Sequence, residues 1–314
     1  MTRFILRRSL GLVVTLLAVS FAVFWIMNVV PGDPSLVILG IDSTPEAQAA
    51  LRRELGLDQP FLTRYLSWLG SMLVGDFGIS FAFKVPVGEL IAERLPLTLS
   101  LAAIGMAVTF ALALGLGVLA AANHNRPADW GIMLASQLGI AVPVFWMSIL
   151  MIIVFAVNLR WLPPGGFPGW GNPAGAARAL VLPTIALSVV QAAVLARVTR
   201  SALLEVARLD FVRTARASGL TRRRILWLHM LPNAMVPIVT IVGLQAANVL
   251  TGTIVIENVF SLPGLGRLIF QGISNRDLPL VQALVVLFAA VVVVANFLVD
   301  LAYGFIDPKL RLSA

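Results

Sequence analysis

Only two lysines occur in the chain, Lys84 in Ala82-Phe83-Lys84-Val85 and Lys309 in Asp307-Pro308-Lys309-Leu310. A nucleotide-hydrolysing P-loop needs its lysine inside Gly-x-x-x-x-Gly-Lys-Ser/Thr, where backbone N–H groups cradle the phosphates. Neither lysine sits in that frame, so the chain has no Walker-type ATPase site. Cysteine is absent, which removes disulfides, thiol catalysis and iron–sulfur ligation. The two histidines, His124 and His229, lie far apart without a cysteine or carboxylate cluster beside either, and no metal ligands are assigned. There is no Gly-x-Ser-x-Gly elbow and no His-Glu-x-x-His pair. The chain is expected to be non-enzymatic, with no catalytic residues and no cofactor of its own.

Ion-coupled transport would place ionisable groups deep in apolar spans. Glu257 and Asp300 stand near the ends of apolar runs, on opposite sides by the topology derived below. Local capping and snorkelling explain such positions. Polar groups of lower cost do occur inside a span: Thr184, Ser188 and Gln191 follow Pro183. They are candidates for a translocation path, and equally for the hydrogen bonds that hold membrane helices together.

Hydrophobic residues make up 59% of the chain and charged residues 12%, against roughly 25% charged in an ordinary soluble domain. The apolar residues form six blocks, at about 10–30, 97–122, 130–159, 179–196, 234–256 and 280–301. Each reaches or nears the ~20 residues that cross a bilayer as a helix. The expected fold class is therefore an all-α membrane protein with six transmembrane helices and one domain, 1–314. The first block, preceded by Arg3, Arg7 and Arg8, is too long for a signal-peptide core and is read as a retained helix.

The formal charge of +8 does not indicate nucleic acid, because the basic residues flank the spans as membrane topology requires. With the N-terminus inside, fourteen lysines and arginines fall on the cytoplasmic side and nine on the other, five of these in segment 31–96. Both termini are expected to be cytoplasmic. Segment 31–96 is expected to fold outside the membrane: Ser43-Thr44-Pro45-Glu46 reads as a helix start and Leu55-Gly56 as its stop. A second helix follows Asp58-Gln59-Pro60, with Phe61, Tyr65, Trp68, Leu69 and Met72 at helical spacing and an end near Gly75. It would lie on the bilayer, pack on the chain's own spans or serve a partner. Pro183 predicts a kink in the fourth span, and the run from Pro163 to Gly171 is a turn-rich loop.

Segment 197–233 is the one sizeable hydrophilic stretch on the cytoplasmic side. Its centre reads Asp210-Phe211-Val212-Arg213-Thr214-Ala215-Arg216-Ala217-Ser218-Gly219-Leu220-Thr221-Arg222-Arg223-Arg224. A short helix should end at Gly219, with Thr221 capping the next. The outcome would be a compact protrusion suited to a partner's groove, or a basic loop on anionic lipid headgroups.

Gly219 followed after nine residues by His229-x-Leu231-Pro232 resembles the cytoplasmic signature of ATP-binding-cassette importer permeases, in which Glu-Ala-Ala, three residues, Gly, nine residues and Ile-x-Leu-Pro recur. Here the triplet reads Arg213-Thr214-Ala215 and His229 replaces Ile. Arg213-Thr214-Ala215-Arg216-Ala217 before the glycine is similar to the dipeptide, oligopeptide and nickel branch, first-permease type. Pro31-Gly32-Asp33-Pro34, Gly75-Asp76-Phe77-Gly78, the run from Glu257 to Arg267 and Arg276-Asp277-Leu278-Pro279 resemble the same branch. The resemblance implies a type I importer permease in the bacterial inner membrane. It implies a homologous second permease, two ATPase subunits holding ATP and Mg, a periplasmic or lipid-anchored solute-binding protein, and no nucleic acid. It places the ATPase-coupling contact at Arg213, Thr214, Ala215, Ala217, Ser218, Gly219 and Leu220. Di- or oligopeptides are the expected cargo, with glutathione or chelated nickel as alternatives. A stand-alone carrier or channel, or a membrane scaffold, is the competing reading.

Overall fold

The computed structural model describes residues 2–29, 39, 44–54 and 56–306. Pro31-Gly32-Asp33-Pro34, Ser43, Leu55, Lys309 and Arg311 lie outside these residues, as do the side-chain surroundings of Arg3 and Asp300. The named elements are all helices: α1 (Thr2–Val29), α2 (Pro45–Glu54), α3 (Phe61–Leu73), α4 (Val87–Ala122), α5 (Pro127–Ala141), α6 (Val144–Asn158), α7 (Pro173–Val206), α8 (Asp210–Ala217), α9 (Arg222–Val259), α10 (Leu265–Ser274) and α11 (Leu278–Ile306). Among the described residues, five unbroken helices, α1, α4, α7, α9 and α11, are long and apolar enough to cross a membrane, and α5 with α6 supplies the sixth apolar stretch.

That sixth stretch is not the continuous third span expected from the sequence, for α5 and α6 meet at a bend of 104°. The cause is Pro143, which disfavours helical backbone in the residue before it. Val142 is accordingly extended, at φ −87 and ψ 121. Pro183 has the milder outcome: α7 continues as α-helix through it, with the proline buried among neighbouring helices, a setting in which freed backbone groups are re-satisfied locally.

Among the described residues, α4, α7 and α9 run well beyond their apolar cores, α9 with 38 residues. α4 has 36 residues and α7 has 34, hence ~54 and ~51 Å at 1.5 Å per residue, against a hydrocarbon thickness of ~30 Å. The first turns of α4 carry Glu89, Glu93 and Arg94, which hides them from a hydropathy reading. Their apolar side, Val87, Leu90 and Ile91, is buried against Leu268, Leu280 and Leu284 of α10 and α11.

α4 and α7 run side by side in the same direction at very short range. A Cβ on Gly105 would stand 2.8 Å from Leu187 Cδ2, and one on Gly117 would stand 2.5 Å from Thr199 Cβ and 2.8 Å from the Ala196 carbonyl. Close backbone approach through small residues is how helices gain packing where lipid offers no hydrophobic drive. Ser188 Oγ donates to the Gly105 carbonyl at 2.9 Å across the same seam. α9 crosses it where a Cβ on Gly252 would stand 2.8 Å from Leu187 Cδ1, and α5 joins where one on Gly139 would stand 3.2 Å from Ala193 Cβ.

The two expected helices of the 31–96 segment form as α2 and α3, each followed by a glycine in the left-handed region, Gly56 at φ 65 and Gly75 at φ 85. α3 packs on the chain's own first span. Tyr65 hydroxyl and Ser20 Oγ share a hydrogen bond of 2.9 Å, Phe21, Phe24 and Trp68 surround the Tyr65 ring in edge-on and tilted contacts, and Phe61 meets Phe21 and Phe24 edge-on.

Gly117→Ala should cost about 1–3 kcal/mol through overpacking in the α4–α7 seam, read as a lower thermal unfolding midpoint of the purified chain. Gly115→Ala, whose Cβ would meet nothing within 4 Å, should shift stability by less than ~0.5 kcal/mol.

Candidate functional site

α7 carries its helix well past the bilayer's thickness, and the hydrophilic segment read as 197–233 narrows to a knob. Helix α7 reaches Val206 and α9 begins at Arg222, leaving α8 and its two bends between them. α8 ends in a Schellman arrangement. Leu220 N–H donates to the Ala215 carbonyl at 3.3 Å and Gly219 N–H to the Arg216 carbonyl at 3.0 Å, with Gly219 at φ 81. An L-residue enters that backbone region at a cost that glycine escapes. Thr221 then caps α9, its Oγ1 accepting from Arg224 N–H at 3.4 Å.

The knob is docked by apolar contacts. Val212 and Ala215 are buried with Leu203 and Val206 of α7 and with Ile225 and Met230 of α9. Of the seven residues marked for coupling, Ala215 and the half-buried Leu220 face this inner side, whereas Arg213, Thr214, Ala217, Ser218 and Gly219 are exposed. Thr214 and Ser218 return their hydroxyls to the helix, donating to the carbonyls of Asp210 at 3.1 Å and Thr214 at 3.0 Å. Arg213 and Asp210 approach to 3.4 Å with both side chains largely exposed, a pairing of little energetic weight. A Cβ on Gly219 would meet nothing within 4 Å, so space for a larger side chain exists unless another molecule fills it. Two exposed apolar residues were missed from the sequence, Leu209 and Phe211, 47% and 39% exposed. Their signal was an apolar pair in an otherwise hydrophilic segment.

Also missed was the tie between the knob's parent helix and α5. Asp129, in the first turn of α5, accepts from Arg200 of α7 at both oxygens, Nε to Oδ1 at 2.6 Å and Nη2 to Oδ2 at 2.7 Å. It also accepts from Asn125 N–H at 3.0 Å, and His124 Nδ1 lies 3.1 Å from Arg200 Nη2. Asp129 is buried, so this two-pronged, charge-assisted pair fixes orientation as well as distance. Sequence separation hid it, since the partners stand 71 positions apart.

Past Arg224 the backbone is π-helical over Ile225–Met230. Pro232 has no N–H for the Leu228 carbonyl, and a wider register upstream accommodates the missing bond. Asn233 Nδ2 donates to the His229 carbonyl at 2.7 Å, which gives the His229-x-Leu231-Pro232-Asn233 run a backbone role.

Of the three candidate path residues, Thr184 and Ser188 are buried inside the chain and Gln191 is half-buried. Among the described residues, the buried side-chain atoms Thr109 Oγ1 and Gln245 Oε1 lack a hydrogen-bond partner.

At the far end of α7, two buried carboxylates organise the connection from α9 to α11. Glu257 accepts from Gly266 N–H at 2.6 Å and Arg267 N–H at 3.3 Å, and Thr98 Oγ1 donates to it at 2.6 Å while accepting from Leu265 N–H at 2.9 Å. The unpaired N–H groups of the first turn of α10 are thus satisfied from two other helices. Glycine is required nearby, because a Cβ on Gly264 would stand 2.2 Å from the Glu257 carboxyl carbon and one on Gly266 would stand 2.4 Å from Ile254 Cα. Asp277 caps α11 by accepting from Leu280 N–H at 3.3 Å, and it accepts from Ser80 Oγ at 2.5 Å and Ala82 N–H at 3.0 Å.

Two family descriptions match the chain: the binding-protein-dependent transport system inner membrane component over residues 113–312, and the N-terminal part of such a membrane component over residues 1–102. The chain is 41% identical over 312 residues to a putative peptide transport system permease protein of Brucella abortus (strain 2308), covering 99% of each. It is 37% identical over 315 residues to the oligopeptide transport system permease protein AppB of Bacillus subtilis (strain 168), covering 99% of this chain and 100% of that one. To the glutathione transport system permease protein GsiC of Salmonella choleraesuis it is 38% identical over 311 residues, covering 99% of each. A chain of the MetNI methionine ABC transporter, solved in inward-facing conformations, superposes with a TM-score of 0.57 at 20% identity, over 69% of this chain and 96% of that one. The helical fold with its apolar spans is thus a type I ABC importer permease fold, and this chain belongs to the inner membrane component family of binding-protein-dependent transport systems.

Proposed function

We propose that the chain pairs with a homologous second permease to form the passage of a peptide importer, driven by two separate ATPase subunits that hold ATP and Mg and supplied by a solute-binding protein. Peptide cargo is supported by the names of relatives, for the oligopeptide and glutathione permeases are about equally similar to this chain, at 37% and 38%. The excess of basic residues on one side, fourteen against nine, supports cytoplasmic termini and a cytoplasmic knob.

The observation that carries the coupling role is the knob's two-sidedness. Its inner face is locked to α7 and α9 by Val212 and Ala215, while Arg213, Thr214, Ala217, Ser218 and Gly219 face outward. An ATPase cleft closing on that outer face pushes α7, and α7 carries α4 through the glycine seam and α5 through Asp129. Transport by alternating access requires such coupled bodies, because a ligand acts only through different contacts in the two states. For the passage we favour Gln191: it is the half-buried member of the three candidates, whereas Ser188 has its hydroxyl committed to Gly105.

Gly219→Asp should abolish uptake in cells. The backbone strain of ~1–2 kcal/mol for a non-glycine residue leaves membrane insertion and amount of protein near normal, as immunoblotting of membranes checks. Unchanged uptake would remove the knob from the coupling contact.

Asp129→Ala strands the Arg200 guanidinium and should lower stability by roughly 3 kcal/mol, with a matching fall in uptake per ATP hydrolysed. Asp129→Ala combined with Arg200→Ala should lose less than the sum of the single variants. Thermal unfolding and the uptake-to-ATPase ratio, measured on all four proteins, test this.

A further inference from the structure

The loop between α6 and α7 closes the end of the molecule opposite the knob, since the 34 residues of α7, ~51 Å of helix, separate the two. It shapes a pocket of about 750 Å³ whose lining includes Arg160, Trp161, Phe167, Pro168, Gly175 and Arg178. The pocket is a built feature. Gly166 N–H donates to the Phe260 carbonyl at 2.8 Å, and Gly165 lies so close that a Cβ there would stand 2.3 Å from that oxygen. The loop is therefore pinned to the end of α9. Phe167 and Trp170 brace one another edge-on at 4.9 Å.

The pocket is cationic without an internal counter-charge. Arg178 Nη2 donates to the Trp161 carbonyl at 3.2 Å, which leaves its remaining N–H groups free of any carboxylate. Among the described residues neither Arg160 nor Arg178 has an ion-pair partner. The sequence contains no Asp or Glu between Asp129 and Glu205. Arg160 is held at φ 54, a backbone conformation rare and costly for a residue other than glycine. Gly175 adds the first turn of α7 to the lining, where the helix presents its positive end.

Depth identifies the anion. Arg160 stands immediately beyond the apolar end of α6, and Arg178 immediately before the buried apolar run that starts at Ala179. Both residues thus stand at the ends of apolar helical runs, the level at which a spanning helix leaves hydrocarbon for water. Trp161 and Trp170, 61% and 51% exposed, belong at the same level, since indole rings collect at the headgroups. We propose that this pocket binds the phosphate of an anionic phospholipid in the leaflet opposite the knob. The two guanidinium groups would clamp the phosphate through charge-assisted hydrogen bonds, and the exposed indoles would lie along the upper acyl chain. This inference does not depend on the cargo or on the coupling role.

The test uses the purified full-length chain in detergent, titrated with dioleoylphosphatidylglycerol, dioleoylphosphatidylcholine or inorganic phosphate. Thermal unfolding and native mass spectrometry of retained lipid are the readouts. Phosphatidylglycerol should be retained and raise the unfolding midpoint, whereas the other two should do neither. Arg160→Gln with Arg178→Gln should weaken phosphatidylglycerol retention at least ~10-fold, the scale of losing charge-assisted contacts, and Arg223→Gln at the knob end should not. Arg160→Lys with Arg178→Lys, which keeps the charge and the fold, should show an intermediate loss, so the site remains testable if the glutamine pair fails to fold. Equal retention by the wild type and the substituted chains would overturn the proposal. So would reproduction of the effect by inorganic phosphate, which would assign the pocket to a soluble anion.

Discussion

The α4–α7 seam is the constraint on which the other arrangements depend. Two helices that exceed the bilayer's thickness lie close enough that Gly105 and Gly117 cannot carry a Cβ without striking the neighbour. Contacts of this kind resist sliding, because packed surfaces shift between discrete fits rather than deforming smoothly. α9 joins through Gly252 against Leu187, and α5 joins through Gly139 against Ala193 and through the Asp129–Arg200 pair. The knob continues directly from α7 and is buried against its last turns. Force on the outer face of α8 therefore enters a body of several spans rather than a single loose helix.

The two ends of that body are finished with different chemistry. At the knob end, exposed arginines meet water beside one ion pair whose carboxylate is buried, and α8 stops on a left-handed glycine. At the other end, Glu257 and Asp277 cap α10 and α11 with their carboxylates and draw in Thr98, Ser80 and the Ala82 backbone. These bonds satisfy helix-end donors that would be costly to leave bare near the bilayer. They also account for the Pro263-Gly264-Leu265-Gly266 run, whose glycines make room for the Glu257 carboxyl group and the α9 backbone. The α6–α7 loop rests on the same region through the Phe260 carbonyl, so the wall around α10 and the cationic pocket share one support.

Much of this was legible in the sequence because each signal was local. The helix stop at Gly219 and the cap at Thr221 depend on a few consecutive residues, as do the stops at Gly56 and Gly75, and the structure shows all four. Hydropathy located the apolar stretches but underestimated α4 and α7, where charged residues on one face mask an apolar face that packs on α10 and α11 at the start of α4 and on α8 and α9 at the end of α7. It also joined α5 to α6, since Pro143 interrupts an apolar run without changing its composition. Pairings across long sequence distances were invisible: Asp129 with Arg200, Glu257 with Thr98, Asp277 with Ser80. A buried carboxylate at a helix end reads the same in one dimension whether it caps its own helix or another. The knob's two faces needed three dimensions as well, for Ala215 and Thr214 are neighbours in the motif yet point to core and surface.

The rigidity of the link between the knob and the spans is directly measurable, because the chain has no cysteine and single labels can be placed without background. Nitroxide labels at Ala217→Cys on the knob and Leu134→Cys on the exposed side of α5 report the distance between them by pulsed electron paramagnetic resonance in the assembled transporter. Transmission through one packed body predicts a single narrow distance that changes by no more than ~2 Å between nucleotide-free and ATP-bound states, the scale of small helix shifts. A change of ~5 Å or more, the scale of a full helical turn, or a broad distribution in either state, would show that the knob swings independently of the spans and cannot drive them.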